Sequence, residues 1–218
     1  MKLGFYAKSS MLILFISLMF CENAVAQSWD LAKDKNGVKV STRKIDGYTL
    51  KEFKGETIVK ASSDKVLALL KDIAGYTNWM PDCKESKALK KVSDNEFYQY
   101  TVTDAPWPVT DRDNVAHMKI SDKGNGEYRI SLKGSPDYIA KNKSYVRVPQ
   151  LKASWQIIPQ SNGGTKVVYQ GLASAGGSIP DWLANSFVVD TPFETLVNMN
   201  KKLGRYCLLY TSDAADDL

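Results

Sequence analysis

Apolar and polar positions alternate along most of the chain, in short runs at roughly 38–44, 49–59, 84–91, 96–103, 113–121, 127–133, 145–158 and 165–174. Period-two alternation of this kind predicts strands with one buried face. In "EYRISLK" at 127–133, for example, Tyr128, Ile130 and Leu132 fall on one side. Between the runs stand Asn36-Gly37, Asp46-Gly47, Asn125-Gly126 and Asn162-Gly163-Gly164, pairs and triplets that accept the positive φ of tight hairpin turns. Strands joined by hairpins pair antiparallel, so the pattern predicts one large antiparallel sheet.

Helical spacing occurs at three places. "SWDLAKD" at 28–34 predicts a short N-terminal helix. "SSDKVLALLKD" at 62–72 opens with Ser62 or Ser63 as a capping side chain and buries Val66, Leu69 and Leu70. The stretch 178–204 carries Ile179, Trp182, Leu183, Phe187, Leu196, Val197 and Leu203 as one apolar stripe. Pro192 lacks a backbone donor and predicts a bend near the middle of that stretch. The expected class is therefore α+β, with a curved antiparallel sheet closed by a long C-terminal helix. This is a helix-grip arrangement, and either a packed core or a hydrophobic cavity lies between helix and sheet.

The two ends of the chain are set apart from this domain. Lys2 and Lys8 precede the apolar run Met11–Phe20, and "AVA" at 24–26 places small residues where a signal peptidase reads, so 1–26 reads as a signal peptide. The run is short of the roughly 20 apolar residues that span a bilayer. Cys21 raises a lipidated alternative, but Phe20 is too bulky for the position before a lipidated cysteine. The expectation is an exported protein, periplasmic or secreted. At the other end, Cys207–Asp216 resembles the translation of a sequencing adapter, and 207–218 is set aside as a non-native tail. Residues 27–206 remain as one domain, long enough to bury a real core.

The formal net charge of the sequence is +5. The domain is more basic still, because Glu22, Asp213, Asp216 and Asp217 lie in the ends set aside, against only Lys2 and Lys8. Its basic residues are spread out, which favours anionic surfaces without naming a partner. No nucleic-acid recognition motif is present. Within 27–206, Cys83 stands alone, so the core and not a disulfide framework must hold the fold.

One segment is unlike the others. "PWPVTDRD" at 106–113 brackets Trp107 between Pro106 and Pro108 and ends in Asp111, Arg112 and Asp113. It resembles the segment preceding a central strand in StAR-related lipid-transfer (START) domains. Other pieces fall in that family's order: Trp29 with "NGVKVSTR" at 36–43, "FKGETIVKASSDKVLALLKD" at 53–72, "YTNWMPDC" at 76–83, "YVRVPQLKASWQIIP" at 145–159, and "GGSIPDWLAN" at 176–185. The resemblance spans essentially the whole domain. It implies the START (Bet v 1-like) helix-grip fold and one lipid or other hydrophobic molecule in a tunnel gated by the C-terminal helix. It also implies a monomer in transient contact with a membrane surface, with no nucleic-acid partner. The ligand-binding candidates are Trp107, Arg112, Met118, Trp155, Trp182, Leu183 and Phe187. Ordinary core packing competes with that role for each apolar member, and for Arg112 so does a corner pinned by its flanking aspartates. Sterol-carrying members place an acid and an arginine inside the tunnel, at positions that fall near Gln99 and Met118 here. The expected pocket is correspondingly drier, and sterol specificity is in doubt.

Catalytic chemistry finds little to work with. His117 is the only histidine and alternation puts it opposite Met118, which leaves no histidine-rich metal site and a Ser-His-Asp set only through this one residue. Cys83 suits a small buried hydrophobe better than a nucleophile. The glycines of "SAGGSIP" lack the context of a phosphate cradle and suit a hinge ahead of the lid. Loose polar candidates inside the cavity are Gln99, Tyr100, Thr101 and Tyr169. A lipid carrier without cofactor, metal or catalytic residues is the expected function. The alternatives are a helix-grip enzyme, such as an aromatic polyketide cyclase, and a filled fold used only for interaction.

Overall fold

The structure is a computed structural model and describes residues 28–213. The expected signal peptide lies outside the described residues, as do residues 214–218 of the expected tail. The chain opens with a hairpin of β1 (Asp30–Lys35) and β2 (Val38–Arg43). A loop leads to β3 (Glu52–Val59), α1 (Ser63–Lys71) and a 3-10 turn at Ile73–Asn78. Four strands follow: β4 (Cys83–Ser93), β5 (Glu96–Thr103), β6 (Arg112–Gly124) and β7 (Glu127–Gly134). Then come β8 (Val146–Arg147), β9 (Gln150–Pro159) and β10 (Thr165–Ser174). The C-terminal helical segment consists of α2 (Asp181–Asn185), a π turn at Ser186–Asp190, and α3 (Thr191–Asp213). The backbone of α3 thus stays helical beyond residue 206.

All ten strands form one sheet in the order β1-β2-β3-β10-β9-β7-β6-β5-β4, with β8 added in parallel to β6. Every other pairing is antiparallel. Val38, Val40, Val59, Phe97, Met118, Ile130, Trp155, Ile157 and Val167 face inward, and α1 and α3 cover them with Val66, Leu70, Leu196, Met199 and Leu203. The covering helix approaches closely at Gly55, where a Cβ would stand 2.7 Å from Leu196 Cδ1. Inside the grip these side chains form one buried hydrophobic cluster. The choice that pattern left open, packed core or open tunnel, falls to a packed core over most of the concave face.

Three local expectations are corrected. Residues 28–34 do not form a helix: Asp30–Lys35 is strand β1, because Asn36 (φ 54°) and Gly37 (φ 72°) make a tight turn that pairs it with β2. In that strand Leu31 points to solvent at 62 % exposure. Ser62 occupies the position before α1, yet its side chain makes no capping hydrogen bond. The disruption at Pro192 takes the form of the π turn, in which the Thr191 N–H reaches back five residues to the Ser186 carbonyl. The wider turn accommodates the missing proline donor by local rewinding rather than by a break.

Candidate functional site

Strands β5 and β6 carry the chemistry, and their register decides which way each residue points. Thr103 pairs with Arg112, Thr101 with Asn114, Gln99 with Ala116, and Phe97 with Met118. Directly paired residues share a face, and Phe97 and Met118 belong to the inner core. Arg112 and Asn114 therefore face inward with Gln99, whereas Asp113, Val115 and His117 face outward.

The Asp-Arg-Asp cluster is split by this alternation, which corrects the corner expected from the sequence. Asp113 is fully buried on the outer side and accepts two bonds from Arg147, at 2.9 Å from Nε and 2.8 Å from Nη2. The Tyr100 hydroxyl donates a third at 3.2 Å. Burial first, and then the Asp113 carboxylate, push the Tyr100 hydroxyl well above the usual phenol range. Asp111 turns instead to Lys84 Nζ at 2.7 Å and accepts from the Ala105 N–H at 3.0 Å. The Lys84 bond, the larger cause, and then the Ala105 N–H hold its carboxyl below the ordinary range.

Arg112 is left without either aspartate. It is 5 % exposed, donates from Nη1 to the Thr110 carbonyl, and its Nε has no hydrogen-bond partner among the described residues. Burial lowers its affinity for the proton, opposed by Asp111, though a guanidinium stays charged in this setting. Two more buried polar atoms without a partner, Asn114 Oδ1 and Gln99 Oε1, lie on the same inner face. From the level of Arg112 down to Gln99 the strand rises about 13 Å. The fourth such atom, Trp79 Nε1, lies elsewhere, in the segment after the 3-10 turn.

At the Arg112 end the packed core gives way to a cavity of about 150 Å³. Its walls are Leu50 and Phe53 of the β2–β3 side, Ala173 and Ala175 at the end of β10, and Phe187 and Val188 of the π turn. Next to it, the loop 44–51 and α2 enclose a groove of about 560 Å³, and Leu50, Lys51 and Val188 line both spaces. The segment 175–180 leads into α2 through Gly176 (φ 71°) and Gly177 (φ 62°). At Gly176 a side chain would meet Val146 Cγ1 at 3.0 Å, so both backbone angle and space select glycine.

The structure separates the seven residues expected around a ligand. Arg112 and Phe187 line the cavity. Met118 and Trp155 lie deeper, 1 % and 3 % exposed, within the packed core. Leu183 is buried on α2. Trp107, expected as core plug or tunnel wall, is 92 % exposed in the loop between β5 and β6, and Trp182 is 56 % exposed on α2. The Trp107–Pro108 peptide bond is cis. Asn114 was not foreseen, although period-two counting from Met118 reaches it directly. Of the loose polar candidates, Tyr100 faces outward, and burial pushes the inward Tyr169 hydroxyl up to about 12.

His117 lies on the outer face, with Nε2 2.6 Å from Glu96 Oε1 and its ring stacked on Tyr98 at 4.4 Å. Burial raises the Cys83 thiol above its ordinary value, which keeps it protonated and a poor nucleophile. Among the described residues no group of His, Cys, Asp and Glu is placed to hold a metal ion, and no helix is long and apolar enough to cross a membrane.

Comparison with known proteins agrees with this geometry. The START domain family model matches residues 19–208. An uncharacterized protein of Pseudomonas aeruginosa is 42 % identical over 174 residues, which cover 80 % of this chain and 86 % of that one. The crystal structure of a STAR-related lipid transfer protein fragment from Xanthomonas axonopodis is 43 % identical, with TM-score 0.74 over 80 % of this chain and 98 % of that one. Human STARD10 has the same fold at 19 % identity, with TM-score 0.72 over 86 % of this chain and 78 % of its own.

Proposed function

The chain belongs to the START domain family, and from that premise we propose that it is a carrier that holds one lipid or similar amphiphile beneath its C-terminal helical segment. One observation carries the reading. Three of the four buried polar atoms that lack a partner among the described residues, on Gln99, Arg112 and Asn114, share the inner face of β5 and β6. A few such atoms are ordinary in a folded protein, but each costs about 1–3 kcal/mol if it stays unpaired. Their gathering on one inward surface supports a polar ligand end seated there. A side-chain amide can present either its oxygen or its NH₂, so Gln99 and Asn114 suit a hydroxyl, an ester or an amide.

A cavity of about 150 Å³ is too small for a whole lipid, since ligand pockets usually run from about 300 to 1,000 Å³. Loading therefore requires α2 and the π turn to lift, with Gly176 and Gly177 as the hinge and the π turn as the section that rewinds. We read the protein as a carrier and not an enzyme because the inward polar groups are amides, hydroxyls and one guanidinium, while His117 faces outward. Native mass spectrometry of the protein purified from bacterial membrane extract should show one stoichiometric adduct, and that adduct should pass between vesicle populations. An adduct that emerges chemically altered would favour the enzyme. A protein that takes up no lipid from excess membrane extract would rule out both.

The exposed tryptophans suit a membrane-docking role. Trp107 sits in the loop whose two ends, Thr103 and Arg112, line the cavity, and Trp182 lies just before the π turn. Each indole brings a large apolar area to a membrane interface. The double substitution Trp107→Ala and Trp182→Ala should lower binding to phosphatidylglycerol-containing vesicles by at least about tenfold, with little change in thermal stability. Unchanged sedimentation with vesicles would remove these residues from the docking surface.

A further inference from the structure

We propose that the bound amphiphile is anionic, with a carboxylate or phosphate oxyanion held at Arg112 in the cavity beneath the π turn. This inference rests on the ligand-binding reading above and specifies the ligand's chemical class. The cavity lining contains two cations, Arg112 and Lys51, and no acid, together with the hydroxyl-bearing Thr103, Ser174 and Thr191. Both acids beside Arg112 in sequence are engaged elsewhere, Asp111 with Lys84 and Asp113 with Arg147. What remains is a guanidinium 5 % exposed, with one Nη1 bond to a backbone carbonyl and a buried Nε that lacks a partner.

A buried charge is costly unless it is paired, and guanidinium matches oxyanions through its fork of parallel donors. A neutral hydroxyl would accept only a bond, whereas an oxyanion would also neutralise the charge. The space supports a head and little more: 150 Å³ is the share of about five water molecules. The remainder of the amphiphile has a way out past Leu50 and Val188, which also wall the 560 Å³ groove under the loop 44–51. The groove itself sets Lys44 and Lys51 against Asp46 and Asp181, so the cationic bias belongs to the cavity and not to the exit.

The test compares four probes with one acyl length on the full chain: oleate and oleoyl lysophosphatidate as anions, oleyl alcohol and monooleoylglycerol as neutral partners. The wild-type protein should bind each anion at least about tenfold more tightly than its neutral partner. R112M should weaken each anion at least about tenfold more than its neutral partner, so that the preference is lost, and R112K should retain part of it. The tighter anion, oleate or lysophosphatidate, identifies carboxylate or phosphate as the preferred head. Equal binding of anionic and neutral probes by the wild type overturns the inference but leaves hydrophobic binding standing. A preference that survives R112M likewise overturns it. If none of the four binds, the ligand-binding reading falls as well. Should R112M lose its cooperative melt, the wild-type ratio decides alone, and a ratio near one is the overturning result.

Discussion

Asp113→Ala is expected to lower folding stability by roughly 3–5 kcal/mol, the usual cost of removing one partner from a buried ion pair. The cost arises mostly at the other residue. Arg147 has a side chain 4 % exposed and would be left charged against backbone carbonyls alone. Those carbonyls belong to Pro136, Ile139 and Ala140, so the pair also ties the 135–145 loop over Tyr100, Val102 and Val115. Asp111→Ala, two residues away, breaks a contact to Lys84, whose side chain is 51 % exposed, and the bond accepted from the Ala105 N–H. A pair with one exposed partner contributes about 0–1 kcal/mol and the lost N–H bond about 1 kcal/mol, so Asp113→Ala should be the costlier of the two. Urea denaturation followed by circular dichroism checks both. A loss below about 1.5 kcal/mol for Asp113→Ala would mean that Arg147 finds water or another partner when the loop opens.

Trp155→Ala should be comparably severe, roughly 3–5 kcal/mol, if the inner face is packed as it stands. Trp155 is 3 % exposed and lies flat on Tyr169, with ring centroids 3.8 Å apart and planes 2° apart. A side chain that merely lined an open tunnel would lose much less on truncation, because water or ligand already occupied one side. The measurement therefore separates a packed resting state from a standing tunnel. A cost under about 1.5 kcal/mol would show that the concave face is looser than its contacts indicate. The same variant should bind longer-chain amphiphiles no worse than wild type, since truncation adds room below the head site.

Most of the sheet could be read from local pattern. Period-two alternation located eight of its ten strands within a few residues, because a half-buried strand must repeat every two residues wherever it lies. The exceptions are informative. β1 has only the adjacent Leu31 and Ala32 as apolar side chains, which cannot alternate, and becomes a strand through its hairpin partner. β8 consists of Val146 and Arg147, and exists because the Val146 N–H bonds the Asp111 carbonyl. Neither could show a period of its own. The π turn was likewise hidden: proline predicts trouble in a helix, while the form of the repair depends on what the helix packs against.

The sequence by itself determined the family, the antiparallel sheet, the closing helix, and a small set of polar residues destined for the inside. It also held the key to the Asp-Arg-Asp puzzle, since alternation alone sends Arg112 to the face opposite its neighbours. Only the tertiary structure decided the rest. Lys84 and Arg147, 27 and 34 residues away from their aspartates, claimed the carboxylates that sequence proximity had assigned to Arg112. Packing placed Met118 and Trp155 in the buried core and left a cavity beside Arg112, where β10 ends and the π turn begins. Trp107, held between prolines, went outward instead of in. Ion pairs and cavities depend on which distant side chains meet, and local pattern carries no such distances.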